Sequence, residues 1–215
     1  PAFFVIIFLV QRRFRAAAVA AGTFLATVVA GFFIVPDAGA FWREAMLNSE
    51  RVGVHENPGA QSIKSLLVRN AGTDSTLLWL LLALLVAALT AAAAWLALRR
   101  GNRTLALALT GIGACLVSPF SWFHHWVWIV PLTVAVIAGI ASRIDARGFL
   151  AAQLGALLTV AVVFLMLLPY VSRVLWPQMA YPGPWFLEVN LAWQLAFTGY
   201  GLLFLLGWTA WAGWD

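Results

Sequence analysis

Two adjacent histidines, His124 and His125, stand in the stretch SPFSWFHHWVW at residues 118–128, among Trp122, Trp126 and Trp128. Imidazole titrates near neutrality and donates a hydrogen bond whether neutral or charged, so such a pair suits proton transfer or an anionic oxygen. Upstream, the stretch AQSIKSLLVR carries Gln61, Ser62, Lys64 and Arg69. Its two cations are available to an anionic group. Neither stretch spells a nucleotide-binding loop, and TGIGAC at 110–115 reads as close helix packing inside an apolar run. No carboxylate or cysteine stands at ligand spacing beside the histidines, which argues against a metal.

A plainer reading stays open. The tryptophans alone fit an interfacial aromatic belt, in which a histidine is a wet neighbour without chemistry. Successive helical residues lie about 100° apart, so the two imidazoles point different ways. One can line a site while the other bonds the backbone.

The elements that must position these groups are those of a membrane protein. Of 215 residues, 63% are hydrophobic and 10% charged, with mean hydropathy +0.92, whereas a soluble domain is about half apolar and about a quarter charged. Apolar runs predict spans near 16–35, 77–98, 104–121, 126–142, 149–170 and 191–212, after a half-span at 2–11. The expected fold is all-α, a polytopic transmembrane helical bundle. The single cysteine, Cys115, lies in an apolar run and excludes an internal disulfide framework. The net charge of +5 belongs to membrane topology, and no nucleic-acid partner is expected.

Residues 105–141 lie between two arginine-rich connections. One helix of that length would reach about 55 Å, too long for a single crossing. Two crossings joined by a turn at SPFSWFHHW fit instead. Arg12, Arg13, Arg15, Arg99, Arg100, Arg103, Arg143 and Arg147 crowd short loops on one side. Arg43, Arg51, Lys64, Arg69 and Arg173 are spread over two long loops on the other, offset by Asp37, Glu44, Glu50, Glu56, Asp74 and Glu188. Short arginine-dense loops mark the cytoplasmic side, so the loops near 36–76, 118–125 and 171–190 are expected to be extracytoplasmic. In the first, AFWREAMLNSER and QSIKSLLVR read as short amphipathic helices in the interface, with HENPG as a turn between them. They either anchor the loop or wall a pocket at headgroup level, with Lys64 and Arg69 available to an anion. The chain opens at Pro1 on half a span, so residues 1–215 are expected to form one transmembrane domain, the C-terminal part of a longer protein.

Taken together, AQSIKSLLVR and SPFSWFHHWVW resemble the polyprenol-phosphate-mannose-dependent mannosyltransferases of actinobacteria, glycosyltransferase family 87 of the membrane GT-C class. Their Asn-Gln-Ser motif corresponds here to Ala60-Gln61-Ser62, with alanine in place of asparagine, and their Ser-Pro-x-Ser-Trp-x-His-His motif is intact from Ser118 to His125. The resemblance implies a GT-C-like bundle that transfers mannose from a polyprenyl-phosphate-mannose donor to a glycolipid or lipoglycan acceptor. The site would face outward from an actinobacterial plasma membrane. It implies an inverting enzyme without a cofactor or metal, whose general base is a carboxylate expected upstream of Pro1. His124 and His125 are then the candidate catalytic residues. Gln61, Ser62, Lys64, Arg69 and Arg173 are candidates for binding the donor and its phosphate. Other GT-C transferases, arabinosyl or glucosyl, and a lipid or solute transporter are the alternatives; the latter usually shows internal repeats or ionisable groups within its spans.

Overall fold

A computed structural model describes residues 2–45, 48–57, 59–141, 198–199 and 201–210. Among the described residues the chain is helical without strands. A 3₁₀ turn at Ala2–Phe4 leads into α1 (Val5–Val10), followed by α2 (Phe14–Ile34), α3 (Ile63–Ala71), α4 (Thr76–Arg99), α5 (Arg103–Val117) and α6 (Ile129–Ala141). A last apolar helix, α7, covers Gly201–Ala210. α2 and α4 are each long and apolar enough to cross a membrane. Almost all of α2 is turned outward: Phe33 is 85% and Ile34 76% exposed, and Ala17 is its one buried residue.

Local signals explain where the helices start and stop. Ser62, Ser75 and Asn102 cap α3, α4 and α5 by accepting backbone N–H bonds from Ser65, Leu78 and Leu105. α4 and α5 are linked through Gly101, whose φ of 73° suits glycine, and so short a link forces them antiparallel. α5 ends at Val117 because Ser118 precedes Pro119, and a residue before proline is pushed to extended backbone; its ψ is 138°. The span expected over 104–121 is therefore shorter than its apolar run.

Among the described residues the α4–α5 pair is the most extensive packing, and small residues make it. Ala93, Ala94, Ala97 and Ala108 are fully buried. A Cβ on Gly113 would lie 2.3 Å from Thr90 Oγ1, so α4 sits against bare backbone there. On another face of α5, a Cβ on Gly111 would lie 2.0 Å from Trp128 Cδ2, which seats the start of α6. Leu109, Ile112, Leu116, Trp126, Ile129, Leu132 and Leu205 complete a core made by α5, α6 and α7. α7 is tied to α4 by Trp208 Nε1, which donates to the Ala93 carbonyl at 3.1 Å.

One expected element is corrected. AFWREAMLNSER is not one amphipathic helix: after an α-turn at Ala38–Ala40, its described residues form a π-turn at Phe41–Ala45 and a 3₁₀ turn at Ser49–Arg51. Arg51 Nε donates to the Ala45 carbonyl at 2.6 Å, and Ser49 Oγ lies 2.9 Å from the buried His55 ring. QSIKSLLVR does form a helix, α3. The span expected at 149–170 lies outside the described residues, as does the 171–190 loop with Arg173.

Gly111→Ala should lower stability by about 1–3 kcal/mol through overpacking, read as a drop in the thermal unfolding midpoint in detergent. Pairing it with Trp128→Leu should lose less than the sum of the two single changes; strict additivity would mean that the ring does not meet the helix there.

Candidate functional site

The α4–α5 hairpin brings the N-terminus of α4 and the C-terminus of α5 to one end of the molecule. There the loop before α3 meets the stretch that follows α5. Two local devices shape the loop. Asn57 Oδ1 accepts the Gly59 N–H at 2.8 Å, an Asx turn within HENPG. Arg69, one helical turn or more along α3, reaches back so that Nη1 donates to the carbonyls of His55, Asn57 and Ala60 at 3.0, 2.9 and 2.7 Å. The sequence-predicted phosphate cation is thus the clasp of the loop.

The two candidate motifs then join. Ala60 and Trp122 form an antiparallel bridge, and the Gln61 N–H donates to the Ser121 carbonyl at 2.6 Å. Ser62 Oγ donates to the Pro119 carbonyl at 3.2 Å. Trp126 Nε1 donates to the Gln61 carbonyl at 3.0 Å, and Thr198 Oγ1 donates to Gln61 Oε1 at 3.2 Å. Gln61, Ser62 and Trp126 are all fully buried, so Gln61 ties three separate parts of the chain together.

The histidines ride on this platform, on a 3₁₀ turn at Phe123–Trp128, and both are exposed. His124 lies parallel to the Trp122 ring, with an interplanar angle of 12° and centroids 6.2 Å apart. It meets His125 edge-on at 4.8 Å. His125 Nδ1 accepts the Trp122 N–H at 3.3 Å, and its carbonyl accepts the Cys115 S–H at 3.4 Å. The two imidazoles are therefore held differently, His125 by the backbone and His124 by stacking. Desolvation of the His125 ring in the turn, with a smaller contribution from the charge of His124, holds its pKa below the ordinary value. With Nδ1 accepting, the neutral ring carries its proton on Nε2 and offers it outward.

The profile of glycosyltransferase family 87 matches residues 1–119. The chain belongs to glycosyltransferase family 87. A polyprenol-phosphate-mannose-dependent alpha-(1-2)-phosphatidylinositol pentamannoside mannosyltransferase of Mycobacterium tuberculosis is 32% identical over 205 residues, 94% of this chain and 44% of that protein. Polyprenol-phosphate-mannose-dependent alpha-(1-2)-phosphatidylinositol mannoside mannosyltransferases of M. tuberculosis and Mycolicibacterium smegmatis are 35% and 33% identical. They cover 63% and 84% of this chain, and 33% and 44% of their own lengths. This family 87 chain thus spans less than half the length of these curated relatives. No solved structure matches it.

The remaining sequence-predicted residues are distributed as follows. Lys64 pairs with Asp74 at 3.1 Å and lies over the Trp79 ring, 5.8 Å from its centroid. Asp74 is well exposed, so this pair contributes little to stability. Arg173 lies outside the described residues. Among the described residues, no group of three or more His, Cys, Asp or Glu side chains could hold a metal ion. Sequence reasoning missed His55, a buried ring between Ser49 and Ser65. No spacing signal marks it, since its partners lie 6 and 10 residues away on different elements.

Arg69→Met keeps the length of the side chain but deprives buried carbonyls of their donor, at about 1–3 kcal/mol. Limited proteolysis in detergent should then cut within residues 53–60 of the variant while sparing the parent. Equal resistance would show that the clasp is dispensable.

Proposed function

We propose that this chain forms the donor-phosphate side of a membrane mannosyltransferase, in which a polytopic GT-C bundle transfers mannose from a polyprenyl-phosphate-mannose donor to a phosphatidylinositol mannoside or related glycolipid. The observation that carries the reading is the junction of the two motifs: Gln61 and Ser62 are bonded to Ser121 and Pro119, in the same stretch that bears the exposed His124 and His125. The apolar, outward face of α2 suits a hydrocarbon surround, and a lipid-linked donor reaches such a site from the bilayer. The histidine turn lies at the end of the α4–α5 hairpin opposite the arginines at residues 99, 100 and 103, which the positive-inside rule places in the cytoplasm. That supports a site on the extracytoplasmic face.

In this reading the bond from the anomeric carbon to the donor phosphate oxygen breaks, and its electron pair stays on the phosphate. The acceptor hydroxyl oxygen bonds the anomeric carbon from the opposite face and gives its proton to a carboxylate base. Asp74 is held by Lys64 and is not assigned that role. The work left to this chain is to stabilise the departing phosphate. His125 donates to a phosphate oxygen from Nε2, and His124, level with Trp122, bounds the sugar or takes a second oxygen. Gln61 and Ser62 act by holding the turn at its height. Arg69 adds positive potential at the same end, and Arg173 is retained as a further candidate for the phosphate.

Mannose transfer from polyprenyl-phosphate-mannose by the full-length protein in membranes tests this. His125→Ala should reduce the rate about 100-fold and His124→Ala less, at matched membrane levels and with GDP-mannose unable to replace the lipid donor. Wild-type rates in both variants would reduce the turn to an aromatic belt, and transfer of another sugar alone would remove the mannosyl reading.

The rate should also carry an acid limb. Because the folded pKa of His125 is lowered, the ring stays neutral below the ordinary value of about 6.5 and Nδ1 keeps accepting the Trp122 N–H there; protonation of Nδ1 leaves Nε2–H in place but breaks the bond that orients it. Stability behaves in the same sense: the unfolded chain takes up the proton first, so stability falls as pH drops below that value. A pH–rate profile flat from pH 8 to about 6.5 and declining only below it is expected. A decline already under way above that value would take the neutral-donor role from His125.

A further inference from the structure

The chemistry above leaves one buried imidazole unused. His55 is 3% exposed, on the loop ahead of α3, with its ring 5.2 Å from that of Phe120 in the histidine stretch. Its Nε2 lies 2.9 Å from Ser49 Oγ and its Nδ1 3.0 Å from Ser65 Oγ. Ser65 Oγ is 3.0 Å from Ser62 Oγ, which donates to the Pro119 carbonyl.

Counting hydrogens orients this whole path. The single hydroxyl proton of Ser62 goes to Pro119, so Ser65 must donate to Ser62. The single proton of Ser65 is then used, and His55 must donate to it from Nδ1. A neutral ring with Nδ1–H presents a bare Nε2, which accepts from Ser49. Reversing the tautomer would reverse every step: Ser65 would turn to His55, Ser62 to Ser65, and the Pro119 carbonyl would lose its donor. The path ends on a carbonyl, so it transmits orientation and not a proton.

We propose that His55 is a positioning residue for the transfer reaction: by donating from Nδ1 it directs the two serines to hold Pro119, and through Pro119 sets the height of His124 and His125. This rests on the transferase reading above.

Asparagine and glutamine separate this from simple filling of space, because the Asn amide nitrogen falls near the position of Nδ1 and the Gln amide nitrogen near that of Nε2. In full-length protein in membrane vesicles, with polyprenyl-phosphate-mannose as donor, His55→Ala should lower kcat/KM about tenfold. His55→Asn should return to within about threefold of the parent and His55→Gln should not. Equal rates for the Asn and Gln variants, or a parental rate for the Ala variant, would overturn the assignment. The Asn–Gln comparison stands even where the Ala variant fails to accumulate. Hydrogen exchange over residues 118–125 of the same purified variants judges the positioning claim apart from activity. Protection kept in Asn and lost in Gln supports it, and equal protection in both refutes it. Vesicles of the parent that transfer no mannose would sink the transferase reading, while the exchange result would still decide the role of His55.

Discussion

The hydrogen bond from the Gln61 amide to the Ser121 carbonyl is the constraint on which the rest of the site depends. Neither group lies in a helix, and both residues are buried at the end of an apolar bundle. A backbone donor or acceptor left alone in such surroundings costs several kcal/mol, so the loop and the turn can be stable there only if each satisfies the other. Once that pairing forms, the neighbours follow: Trp126 finds the Gln61 carbonyl, and Ser62 finds Pro119 while still capping α3. One serine thereby starts a helix and fixes a distant loop.

Packing decides where the turn can sit. The alanines and Gly113 let α4 and α5 approach closely, while Gly111 receives Trp128. The turn is thus caught between an indole seated in α5 and a backbone pairing to the loop. Its side chains reach outward from a base that has little room to shift, as the proposed contact with a departing phosphate requires.

Much of the architecture was legible in the chain. The long apolar runs foretold α2 and α4, and the amphipathic spacing of QSIKSLLVR foretold α3. The residue types of both motifs marked them out as the stretches to follow. Their meeting was not legible, because a backbone bond between residues as distant as Gln61 and Ser121 leaves no periodic trace. Cations are the second blind spot: Arg69, which clasps carbonyls, and Lys64, which pairs with Asp74, look in sequence like any side chain awaiting an anion. The misreading of AFWREAMLNSER has a similar cause. Its apolar spacing suits a helix, but the attraction of Ser49 to a buried imidazole outweighs that pattern.

The chain's one cysteine lies behind the histidine turn, its sulfur against the His125 carbonyl. A thiol in that place is covered by the turn itself. Its reaction with a small membrane-permeant alkylating reagent therefore times the excursions of the turn from its seat. The molecule carries its own reporter of how still that turn is held.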